Sequence, residues 1–222
     1  MQVAKQLLTT KAIGTDLLEV GYPLRSGVNL AHYVALWDIM SRNSIFLTGN
    51  GTSDDHFAHH WRQIPTNWNS AAWAASIAQT DLVAALAAGR VWCGSLAEYA
   101  RGTLDLLVDG KAPMGSVSVS KVAKRQLVAS ATGIPRNGSL QVLQGRVDNA
   151  GTADVAADTK VIATYPAADL AGGSVTLSVD NSASSFVRTQ VLDKTGTVIG
   201  LSNPAWLYRS PPPGGIPPAR AV

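Results

Sequence analysis

Near residue 113 the hydrophobic period of this chain changes, and that change limits its possible folds more than any other feature. Upstream, helical and strand patterns alternate. Residues 2–12 predict a short helix with Leu7 and Leu8 on its inner face. "TDLLEVG" predicts a buried strand ending at Glu19. Residues 29–42 form the clearest helix pattern: Asn29 is a suitable N-cap, and Leu30, Tyr33, Val34, Trp37 and Met40 recur at three- and four-residue steps. "SIFLTGN" and "RVWCGS" predict strands, and "AAWAAS" a short one. Between the last two, Thr80 is expected to cap a helix through Leu82, Val83 and Leu86, which Gly89 stops. Strand, helix and strand in this order predict a parallel sheet with crossovers.

Downstream, helical periodicity disappears. "QLVASATG", "SLQVLQGRV", "TKVIATY", "GSVTLSVD", "SFVRTQVLD" and "GTVIGLS" are short runs separated by turn signals at Arg136-Asn137-Gly138, Asp148-Asn149-Ala150-Gly151 and Lys194-Thr195-Gly196. This pattern predicts an antiparallel sandwich. "SPPPGGIPPARAV" cannot form helix or sheet, so an extended arm is expected, either a flexible end or a docking tail.

The length of 222 residues allows one substantial core or two modest ones. With 46% hydrophobic and 15% charged residues, most of the chain should fold, and its low charge suits large contacts with a protein partner or with further copies. A net charge of +3 on scattered basic residues does not suit nucleic acid. The single cysteine, Cys93, excludes an internal disulfide and a cysteine-rich zinc module. The opening stretch lacks the apolar core of a signal peptide, and no stretch is apolar enough to span a bilayer. Compartment stays open. Low charge and Ala/Ser/Thr/Gly-rich strands suit a virion component, and a cytoplasmic protein is equally compatible.

Chemistry concentrates in "GTSDDHFAHHWRQ", residues 51–63, which holds Asp54, Asp55, His56, His59 and His60. Either a metal site or a polar surface loop accounts for it. Around it, "NGTSDDH", "LLEVGYP", "DLVAALAAGRVW", "LDLLVDGKAPMG", "LVASATGIP", "VLQGRVDNAG" and "SSFVRTQVLDKTGTVIGLSNPAWLY" together resemble the polymerase-and-histidinol-phosphatase (PHP) family of metal-dependent phosphoesterases. The resemblance runs from about residue 10 to 209.

That resemblance implies a distorted βα barrel with metals at the carboxyl ends of its strands, and a sandwich extension. The Asp-Xaa-His motif that closes such barrels supplies metal ligands, which carries over to Asp54 and His56. Residues two apart in extended chain face the same way, and a carboxylate with an imidazole suits zinc, manganese or iron. Asp55 then points away. His59 and His60 point apart from one another and read as a solvated loop.

Glu19, at a strand end, is a weaker ligand candidate, its alternative being a hydrogen-bond acceptor. The family's opening His-Xaa-His is missing. The sole earlier histidine, His32, lies within the helical stretch and reads as a helix-face residue. Trp61, Trp68 and Trp73 read as packing residues, with stacking on a ligand as the alternative. Cys93 reads as a buried thiol.

The expected architecture is therefore α+β: a partial PHP-like βα barrel over residues 1–112, a β-sandwich over 113–209 and a Pro/Gly-rich arm over 210–222. The expected role is a structural or binding component of a larger assembly. The alternative is a phosphoesterase whose site is completed by another chain or a longer precursor.

Overall fold

A computed structural model describes residues 2–22, 24–25, 27–53, 67–153 and 159–222. Helix α1 (Gln2–Thr10) leads to β1 (Leu17–Gly21) and to the hairpin β2 (Leu24–Arg25) and β3 (Val28–Asn29). Then come α2 (Leu30–Arg42), β4 (Thr48–Gly51), β5 (Trp68–Ala72), α3 (Gln79–Ala87) and β6 (Val91–Ser95). The remaining strands are β7 (Thr103–Val108), β8 (Ala112–Pro113), β9 (Val117–Val119), β10 (Lys124–Thr132), β11 (Ser139–Arg146), β12 (Thr159–Pro166), β13 (Ser174–Asp180), β14 (Ser185–Leu192), β15 (Val198–Ser202) and β16 (Ala205–Tyr208).

The architecture is α+β in three layers. One outer sheet has the order β13-β10-β7-β8. The middle sheet has the order β12-β11-β14-β15-β6-β5, with β16 pairing to β14 and β9. Between the two sheets lie Leu104, Leu106 and Val108 of β7, Leu127 and Ala129 of β10, and Val187 and Val191 of β14. On the other face of the middle sheet sit α1, α2, β1 and β4. There Val20, Trp37, Met40 and Leu47 pack against Trp68, Cys93 and Leu201.

Several expectations hold. The Asn29 side chain accepts the backbone N–H of His32, as an N-cap should. Gly89 stops α3 at φ 69°. All six downstream runs are strands, and Asn137 and Asn149 take the positive φ that their turns require. Thr80, however, does not cap α3. That helix starts at Gln79, and the Ser76 hydroxyl instead accepts the N–H of Ala78.

The expected parallel sheet is corrected in part. β1 and β4 are parallel, but β6 runs antiparallel to both β5 and β15. "VWCGS" is buried on both faces because its sheet is the middle layer, and such a strand reads like one from a parallel sheet. The boundary expected at residues 112 and 113 falls inside β8, and strands from both sides of it share both sheets. Among the described residues no barrel closes.

Charge fastens the helical layer to the sandwich. Arg188 on β14 points away from the sandwich core and forms a two-pronged pair with Asp38 of α2, both bonds 3.0 Å long. Arg42 at the end of α2 grips Asp148 at 2.9 and 2.8 Å. The Arg42 hydrogen bond is the main cause of a lowered Asp148 pKa. A carboxylate whose folded pKa lies below its unfolded value adds stability above that unfolded value, and loses it as pH falls through the folded one. Acid titration of the parent chain should therefore show a loss of stability below about pH 4 that is smaller in Asp148→Asn, measured by urea unfolding at stepped pH.

Candidate functional site

The only helix-linked parallel strand pair among the described residues is β1-α2-β4. In it Leu17 faces Thr48, Leu18 faces Gly49 and Glu19 faces Asn50. The loop that carries the histidines leaves from the carboxyl end of β4. Asp54, Asp55, His56, His59, His60 and Trp61 lie outside the described residues. Glu19 sits one strand away from that exit, half-buried, on the face of β1 opposite Leu18 and Val20. His32 is exposed on α2, its ring nitrogen 2.8 Å from the Asn29 side chain, as a helix-face residue.

What holds β4 in place is unusual. Its sequence is "TGNG", with little side chain to pack. Gly49 lies against the Trp37 ring so closely that an added Cβ would sit 2.5 Å from it. Trp37 is fixed in turn by its indole N–H donating to the Leu47 carbonyl at 3.0 Å. At the far end, the Ser70 hydroxyl accepts the Gly51 N–H at 2.9 Å and lies 3.1 Å from the Gly51 carbonyl.

The decisive residue is Asn203. It is 1% exposed. Its side-chain oxygen accepts the Gly49 N–H at 2.8 Å, and its amide nitrogen donates to the Gly49 carbonyl at 2.9 Å and the Val91 carbonyl at 2.7 Å. One side-chain amide thus pairs with Gly49 as a neighbouring strand's peptide group would, bridging β4 to β6. Nothing in "LSNPAW" marks this role. An Asn before proline reads as a turn residue.

Cys93 is 1% exposed beneath Gly51, and burial pushes its thiol pKa far up. It is a packing residue, as expected. We predict that it resists a maleimide or disulfide reagent in the folded chain and reacts fully in denaturant, followed by intact mass. Trp68 is 3% exposed within the core under β1 and β4. Trp73 is 42% exposed, with its indole N–H tied to the Leu104 carbonyl.

Among the described residues no group of three or more His, Cys, Asp or Glu side chains gathers to hold a metal. Glu19 is the one described member of the expected set, since Asp54 and His56 lie outside the described residues. No described helix is long and apolar enough to cross a membrane.

No family model matches the sequence, and no curated protein is similar to it. Among solved structures, the chain is similar to the crystal structure of the PmoD soluble domain from Methylocystis sp. ATCC 49242 (Rockwell). Identity is 9%, the TM-score is 0.31, and the match covers 48% of this chain and 90% of that one. A likeness of that size carries no functional argument.

Proposed function

We propose that this chain is a structural and binding component of a larger assembly, such as a virion, in which a PHP-like βα unit is carried on a β-sandwich. One observation carries the reading. β1 and β4 form a parallel sheet of two strands, and no further described strand pairs with either. Parallel strands are ordinarily buried within larger sheets flanked by helices. Asn203 and Ser70 occupy the far side of β4, so among the described residues β1 is the strand left to meet a partner, and Leu17 on it is 41% exposed. The partner is a protein, either a second copy or a different chain.

Light scattering and native mass spectrometry of the purified chain test this. Self-association, or capture of a defined partner that Leu17→Lys abolishes, is expected. A stable monomer with cooperative unfolding, and no partner sensitive to that substitution, counts against it.

A second reading has its own support. Asp54 and His56 directly follow the carboxyl end of β4, and Glu19 stands on the adjacent parallel strand. Carboxyl ends of parallel strands are where βα barrels place their chemistry. In this reading the chain contributes part of a metal-dependent phosphoesterase site, and another chain or a longer precursor supplies the remaining ligands. Metal analysis with and without the completing chain separates the two. In the enzyme reading the chain alone retains little metal, while zinc, manganese or iron and phosphatase activity appear with that chain present and are lost in Asp54→Ala. No metal and no activity in either state, unchanged by that substitution, favours the scaffold.

A further inference from the structure

Residues 210–222 are not the wholly extended arm that the sequence suggests: Pro218–Arg220 form a short 3-10 helix, Ala221 bridges to Val117, and the arm ends in a built socket. Arg220 is 4% exposed. Its Nη1 donates to the Gly115 carbonyl at 2.8 Å and its Nη2 to the Thr48 hydroxyl at 2.7 Å. The guanidinium carbon lies 5.5 Å from the centre of the Trp206 ring, within cation–π range. Thr48 in turn donates to the Leu86 carbonyl in the last turn of α3, at 2.8 Å.

The socket is shaped for this group. A Cβ on Gly89 would sit 2.3 Å from Arg220 Nη1, so the glycine that ends α3 also makes room for the cation. The carboxyl end of a helix favours positive charge. Burial lowers the pKa of Arg220 to about 10, and the charge of Asp16 opposes that shift, so the side chain stays protonated at neutral pH. Around the anchor, Ile216 packs on the cluster of Val117, Trp206 and Tyr208, and Ala221 bridges to Val117. Between the sandwich and this anchor, Gly214 and Gly215 take φ of 88° and 81° with open space around them.

We propose that residues 216–222 are a detachable clasp, and that Arg220, seated in a guanidinium socket formed by Thr48, Gly89, Gly115 and Trp206, fixes the start of β4 to α3 and the middle sheet. The two-glycine hinge gives the clasp a place to open, lifting Arg220 from Trp206 and Ile216 from the cluster around it. Arg220 acts on the candidate site only through β4, so it is a positioning residue. The clasp does not depend on whether the loop after β4 binds a metal.

Hydrogen exchange on the full-length chain tests it. In Arg220→Ala, amides of β1, β4 and the last turn of α3 are expected to exchange about tenfold faster, while those of β7, β10 and β13 stay within about twofold of the parent. Arg220→Lys is expected to behave like Arg220→Ala, since a single ammonium cannot reach both acceptors with a planar, stacked head. Unchanged exchange in β4, equal acceleration in both outer layers, or full protection by lysine each overturns the proposal. If Arg220→Ala does not fold, Arg220→Gln is read in the same way. Failure of both to fold also overturns it, because the arm would then belong to the folding core.

Discussion

Replacing Arg188 by alanine is expected to cost about 3–5 kcal/mol, and to lower the thermal midpoint by roughly 10 °C for a chain of this size. The guanidinium is 3% exposed and pairs with Asp38, whose side chain is 17% exposed. Truncation removes one charge and leaves the other beneath α2 without its partner. That orphaned carboxylate, more than the lost attraction, sets the size of the effect. The double replacement Asp38→Leu with Arg188→Met should therefore recover most of the loss. Calorimetry of the two single variants and the double variant checks this. A double variant as unstable as Arg188→Ala would show that the pair is needed for more than its own neutralisation.

The second large effect concerns Asn203. Asn203→Ala takes away both partners of Gly49 and one of Val91 at a place closed to water. Buried amide groups left unpaired cost about 1–3 kcal/mol each, so a loss near 3 kcal/mol is expected. Asn203→Asp should be worse than alanine. A carboxylate can still accept the Gly49 N–H, but its second oxygen would face two carbonyls. The expected order in chemical denaturation is parent, then alanine, then aspartate, at neutral pH. Protonating the new carboxyl at low pH should narrow the gap between the two variants. Aspartate matching the parent at pH 7 would refute the bonding scheme.

Much of this architecture could be read from local patterns. Asn29 and the three- and four-residue spacing of Trp37 and Met40 announced α2, and period-two runs with Gly and Asn turns announced the six downstream strands. Local patterns carry no direction, however. "VWCGS" is buried throughout because both its faces are covered, and only its long-range partners make it antiparallel. The same limit hid the site's supports. Asn203, Arg188 and Arg220 act across 154, 150 and 172 positions of sequence on Gly49, Asp38 and Thr48. A lone Arg inside an apolar strand run, such as Arg188, is the one local hint available, since a buried cation needs a partner somewhere. The apolar surroundings of Glu19 mark its strand but not the strand's end: β1 runs on past it to Gly21. Asp54 and His56 lie outside the described residues.

The interleaving of early and late strands has a consequence for how the chain reaches this state. β6 pairs with β15, and β9 with β16, so the middle layer joins segments made well apart during synthesis. Such distant partners meet slowly, because a long loop must close before any contact rewards it. A nascent chain on the ribosome therefore carries an unfinished layer, with the apolar faces of β6 and β7 uncovered, until β14 to β16 emerge. That interval is when aggregation competes with folding, and when a chaperone has something to hold.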